Sequence, residues 1–137
     1  MNVGIFAEAD ESQQLESVGS RLEEVGYTVT RLSVTADWEY ASMEEIQHLL
    51  APLTHLIVVI EPPVWKKPWA TLLLGYAGGR GTPLARFGSD NYPAQPTLLD
   101  AMPVFGDFNL LLDWLDHERI IHERDQAIQQ ARGEIFS

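Results

Sequence analysis

The stretch His55-Leu56-Ile57-Val58-Val59-Ile60 decides the fold. It is apolar on both faces and rich in β-branched residues. An exposed or half-exposed strand alternates apolar and polar positions, whereas a central parallel strand is covered on both sides and cannot. The neighbours on either side fit this reading. Upstream, Ser42 and Glu45 have the spacing of a capping box, followed by Met43, Ile46, Leu49 and Leu50, with Pro52 stopping a short helix. Downstream, Pro68 opens a helix whose Ala70–Ala77 segment is apolar almost all round, and Gly78, Gly79 and Gly81 form its exit.

The same alternation extends to both ends. Asn2–Ala7 (NVGIFA) reads as a buried first strand, and Asp10 and Gln13 as a capping box. Leu15, Val18, Leu22 and Val25 recur at helical spacing, with Gly26 as the stop. Tyr27–Val34 is the second strand, Thr82–Phe87 the fourth and Pro103–Gly106 a brief fifth. Thr97–Met102 is a candidate short helix. Strand and helix alternating in this way predict one α/β domain with a parallel sheet, right-handed crossovers and the flavodoxin-like order 2-1-3-4-5.

Phe108–Phe136 reads as one long helix capped by Asp107. At 1.5 Å per residue it runs roughly 40 Å, longer than the sheet it packs on. Leu110, Leu111, Leu112, Trp114 and Leu115 make its first part core-like. Ile121, Ile128 and Ile135 then continue from Trp114 in steps of seven, while the second seam position holds His117, Arg124 and Ala131. Half of a coiled-coil seam is therefore apolar. The tail is either a solvated end or a helix that docks on a second subunit, and a homodimer through this helix is the expectation.

Composition narrows the function. The 137 residues contain no cysteine, which excludes disulfides and thiolate metal sites and suits a reducing, cytoplasmic compartment. The first residues, MNVGIFAEADESQQ, lack the basic and apolar regions of a signal peptide, and no apolar run is long enough to span a membrane. A net charge of −11 argues against nucleic acid and anionic lipid as partners, because phosphate contacts drive such binding. The charge is uneven. Residues 1–61 hold eleven acids against Arg21 and Arg31, whereas residues 62–89 hold Lys66, Lys67, Arg80 and Arg86 and no acid.

Open α/β sheets bind ligands beyond the carboxyl ends of their strands. The expected ligand edge therefore collects Glu8, Ala9, Asp10 and Glu11 after strand one, Glu61–Lys67 after strand three, and Gly88, Ser89, Asp90 and Asn91 after strand four. Two roles are open to Glu61: facing a ligand hydroxyl, or pairing with Lys66, Lys67 or Arg86. Trp65 and Trp69 are either a stacking surface or helix-start packing. The candidate ligand-binding set is Glu8, Asp10, Glu61, Trp65, Lys67, Arg86 and Ser89, and the ligand class a nucleotide or small anion. The glycines at 75–81 follow a helix rather than opening one, so they form no phosphate loop, and no cofactor is implied. His117 and His122 are five apart, about 140° round a helix, so they do not form the two-histidine zinc pattern. Asp113 with His117 and Glu118 with His122 have the spacing of surface helix pairs. No serine has the context of a nucleophile elbow.

Thr54–Arg86 resembles the third strand, helix and fourth strand of the nucleoside 2-deoxyribosyltransferase family. The likeness rests on Gly75-Tyr76-Ala77 followed by Gly81-Thr82-Pro83-Leu84, and a weaker similarity extends to about residue 106. In that family the catalytic glutamate lies two residues before the Gly-Tyr-Ala segment, and an acidic residue precedes the helix. Here those positions are Leu73 and the neighbourhood of Lys67. The related TIR domains place a tryptophan at the helix start and a glutamate four residues later. Trp69 fits the tryptophan, and the fourth residue on is again Leu73. Attack at an anomeric carbon needs a carboxylate, which leucine cannot supply. The resemblance thus implies a non-catalytic relative serving as a binding or interaction module. The alternative is a nucleoside- or nucleotide-processing enzyme using Glu61. A fainter similarity to receiver domains would put Glu61 where the phosphorylated aspartate belongs, but glutamate is no normal phosphoacceptor, and the switch threonine and lysine are not evident.

Overall fold

The computed structural model describes residues 1–7, 13–33, 43–59, 75–88 and 103–136. Five parallel strands form one sheet in the order β2-β1-β3-β4-β5: β1 (Asn2–Ala7), β2 (Thr28–Ser33), β3 (His55–Val59), β4 (Leu84–Phe87) and β5 (Val104–Phe105). The helices are α1 (Gln13–Glu24), α2 (Met43–Leu50) and α3 (Phe108–Phe136), and residues 75–79 are also helical. This is the α/β flavodoxin-like architecture expected from the alternation of elements.

β3 lies at the centre, and every one of its residues is buried. It pairs with β1 from Val3↔His55 to Ala7↔Val59 and with β4 from Leu56↔Leu84 to Val59↔Phe87. Because side chains alternate along a strand, the two faces of the sheet carry separate cores. One face gathers Val3, Ile5, Ala7, Ile57, Val59 and Ala85 with Leu15, Val18 and Leu22 of α1 and Phe108, Leu111 and Leu115 of α3. The other carries Phe6, Leu32, Leu56 and Val58, and the remaining buried aliphatic side chains are Ile46 and Leu50 of α2, Leu53 just after it, and Ala77 of the helical segment 75–79.

Two helices end by the same device. Gly26 has φ 98°, and the amides of Gly26 and Tyr27 donate to the carbonyls of Glu23 and Leu22. Gly81 has φ 80°, and the amides of Gly81 and Thr82 donate to Gly78 and Ala77. Each is a Schellman stop, which needs a left-handed residue that glycine supplies without strain. At the start of α3, Asp107 Oδ1 accepts from the Asn109 amide at 2.7 Å, so Asp107 caps the helix.

Thr82 and Pro83 belong to the turn before β4, so that strand is shorter than its sequence pattern. Leu110 is 56% exposed, although it sits in a run of three leucines. Consecutive residues on a helix point roughly 100° apart, so Leu111 and Leu115 face the sheet and Leu110 cannot. No helix among the described residues is long and apolar enough to cross a membrane.

Candidate functional site

The strand order fixes where the two edges of the sheet lie. At the carboxyl edge, β1 and β3 end side by side with Ala7 opposite Val59, and β4 and β5 end with Phe87 opposite Phe105. Of the sequence-predicted ligand set, Arg86 is described. It lies in β4, half-buried, with Val58 and Val104 as its register partners. Its amide donates to the Pro103 carbonyl at 2.8 Å, and the Gly88 amide donates to the Phe105 carbonyl at 3.0 Å. Glu8, Asp10, Glu61, Trp65, Lys67 and Ser89 lie outside the described residues, as do Leu73 and Trp69.

The opposite, amino edge carries a polar cluster that the sequence pattern conceals. His55 opens β3 and is 3% exposed. Its Nδ1 is 2.9 Å from Thr54 Oγ1, and its Nε2 is 3.5 Å from Glu118 Oε2 on α3. The imidazole also meets the rings of Trp114 and His122 edge-on, with centroids 6.3 and 6.0 Å away. Thr54 Oγ1 accepts from the Asn2 amide at 3.0 Å and also lies 3.0 Å from the Asn2 carbonyl. That carbonyl already accepts from the Thr54 amide at 2.9 Å. The Glu118 carboxylate can only accept, so Nε2 carries the ring proton and donates toward it, and Nδ1 accepts from the Thr54 hydroxyl, which has the Asn2 carbonyl as its other acceptor.

Burial, first of all, holds the His55 pKa below the ordinary histidine value, and the neighbouring His122 and the chain amino terminus push the same way. The Glu118 carboxylate opposes them. The imidazole is accordingly neutral at pH 7, and the pair is a hydrogen bond to a carboxylate rather than an ion pair. It joins the start of β3 to the middle of α3.

An open cleft of about 410 Å³ runs beside this cluster, bordered by Leu53, His55, Arg80, Thr82, Glu118 and His122 among others. Several of its polar groups are engaged with the protein. Arg80 donates to the carbonyls of Leu50 and Ala51 at 2.7 and 3.3 Å, so it covers the last turn of α2. His55 and Glu118 face each other. Thr54 Oγ1, His55 and Glu118 stand in line as hydroxyl, imidazole and carboxylate, with the ring itself buried, and no cluster of three or more metal-ligating side chains exists among the described residues. The cleft also lies at the edge where open α/β sheets do not take ligands. Its chemistry is that of a polar seam between the sheet and α3.

Sequence reasoning placed Glu118 and His122 on the helix surface and did not single out His55. The signal available was one histidine at the head of an otherwise apolar strand, since a buried polar residue needs a partner. No protein-family model matches the chain, and no curated protein matches it.

Proposed function

We propose that this chain is a non-catalytic binding module that takes a nucleotide or another small anion at the carboxyl edge of its sheet. The strand order carries this reading. With β1 and β3 adjacent, the chain turns to β2 on one side and to β4 on the other, and open α/β sheets bind ligands at such a switch point. The acids Glu8 and Asp10 follow β1 in sequence, Glu61 follows β3, and Lys66, Lys67 and Arg86 supply positive charge in a stretch without acids. An acidic protein that recruits an anion needs such a local reversal of charge. The absence of catalysis rests on Leu73, which stands where the deoxyribosyltransferase and TIR families carry their glutamate.

A thermal-shift screen of the full chain against nucleosides, nucleotides, NAD, inorganic phosphate and magnesium tests this. A ligand present at 100 times its Kd stabilises the native state by about 2.7 kcal/mol. A shift with one nucleotide class, lost in Lys67→Ala, is the expected result. The same samples are assayed for free base released from nucleosides and nucleotides. No release is expected, and release abolished by Glu61→Ala would replace the module with an enzyme. No shift with any compound would remove the small-molecule reading.

A further inference from the structure

α3 outlasts the domain it packs on. Its 29 residues span about 43 Å. The sheet-facing stripe is apolar at Phe108, Leu111 and Leu115, all buried, and then turns polar at Glu118, His122 and Asp125. From Glu123 to Glu134 every residue is exposed. A helical segment of this length with no packing is marginal in water.

A second apolar stripe runs along α3, roughly 100° round from the first. It comprises Leu110, Trp114, Ile121 and Ile128, separated by four, seven and seven residues. Leu110 is 56% exposed and Ile128 44%, whereas Ile121 is half-buried and Trp114 packs partly against the core of its own domain. Charge selects what covers it. From His117 to Glu134 there are four acids and three arginines, while the rest of the chain holds sixteen acids and six basic residues. A near-neutral tail on an acidic body keeps two bodies apart while two tails meet, which suits a second copy of the same chain.

We infer that the exposed half of α3 pairs antiparallel with the same segment of a second copy, about a two-fold axis between Arg124 and Asp125. In a parallel pair, each Arg124 and each His117 would meet its own copy in the seam. In the antiparallel pair, Arg124 lies level with the partner's Asp125, and Ile121 with the partner's Ile128. The interface is isologous and closes as a dimer. It is independent of any ligand at the carboxyl edge.

Sedimentation equilibrium of the full chain tests the pairing. A concentration-dependent dimer is expected. Ile128→Glu, beyond the packed domain, raises its Kd at least about tenfold by burying a charge at the centre of the contact, with the far-UV spectrum and melting of the domain retained. A monomer at all concentrations, or a dimer indifferent to Ile128→Glu, overturns the proposal. The absence of native cysteine makes orientation readable. A His117→Cys/Ala131→Cys double variant cross-links between chains under mild oxidation, whereas Ala131→Cys alone does not, because its two copies sit at opposite ends of the pair. Cross-linking by Ala131→Cys alone overturns the antiparallel arrangement.

Discussion

The hydroxyl of Tyr27 donates to Asp116 Oδ1 at 2.5 Å, which ties the turn between α1 and β2 to the outer side of α3. Tyr27 is 7% exposed, and burial and this carboxylate together push its pKa well above the usual phenol value. Arg119 completes the group, with its guanidinium 5.5 Å from the Tyr27 ring and 3.9 Å from Asp116. Tyr27→Phe keeps the ring packing and removes the donor. Asp116 is partly solvated and retains Arg119, so the expected loss is about 1 kcal/mol, the net value of an ordinary hydrogen bond rather than of one to a fully desolvated charge. Chemical denaturation measures it. A double-mutant cycle with Asp116→Ala that returns no coupling would show that the short contact contributes nothing.

His55 gives the fold a pH dependence of definite sign. Its pKa is lowered in the native state by burial first, then by His122 and the amino terminus, against the pull of Glu118. The unfolded chain therefore binds this proton more readily than the folded one. The stabilising effect is complete above about pH 6.5, the unfolded histidine value. It is lost progressively as the pH falls toward and through the lower native value. Urea midpoints compared at pH 7.5 and pH 5.5 should fall on acidification, and His55→Gln should flatten that slope. An unchanged slope in His55→Gln would assign the acid sensitivity to other groups.

Much of the fold was legible because its signals are local. The apolar run of β3, the β-branched β2 and the glycines at 26 and 81 each act within a few residues, and the strand order follows from their alternation. The cap at Asp107 was legible for the same reason. Long-range pairing was not. Nothing near His55 in sequence announces Glu118, and Tyr27 gives no sign of Asp116, because each pair is made only when α3 folds back across the sheet. Leu110 shows the limit of counting apolar residues: three leucines in a row cannot share one helical face. Of the site residues, Arg86 is described, within β4 beside Val58 and Val104, and the others lie outside the described residues.

Arg80 closes the end of α2 from a distant part of the chain. It donates at 2.7 Å to the Leu50 carbonyl and at 3.3 Å to that of Ala51. The Leu50 carbonyl also accepts from the Leu53 amide at 3.0 Å, and a cation near these last carbonyls complements the helix dipole. Arg80→Ala leaves the Ala51 carbonyl to water and the Leu50 carbonyl with the Leu53 amide alone, and the expected cost is about 1 kcal/mol. Amide hydrogen exchange offers a local readout, with faster exchange through Gln47–Ala51 while the central strand β3 keeps its protection. Unchanged exchange in α2 would mean that water replaces Arg80 without loss.

Gly4 occupies the middle of β1, where a glycine ordinarily weakens a strand. Its reason is space. A methyl group added there would come within 2.5 Å of Leu53 Cδ1 and 3.1 Å of Leu56 Cδ1. Leu53 is 3% exposed and Leu56 fully buried, so neither can swing into solvent to make room. β1 is also held on both sides, by β2 at Gly4↔Thr30 and by β3 at Gly4↔Leu56, so the backbone cannot retreat. Gly4→Ala is expected to destabilise the protein by about 1–3 kcal/mol, the usual range for overpacking. Leu53→Ala on the same background removes the obstructing side chain. The loss from the pair should therefore be smaller than the sum of the two single losses. Strict additivity would mean that Leu53 is not what Gly4 makes room for.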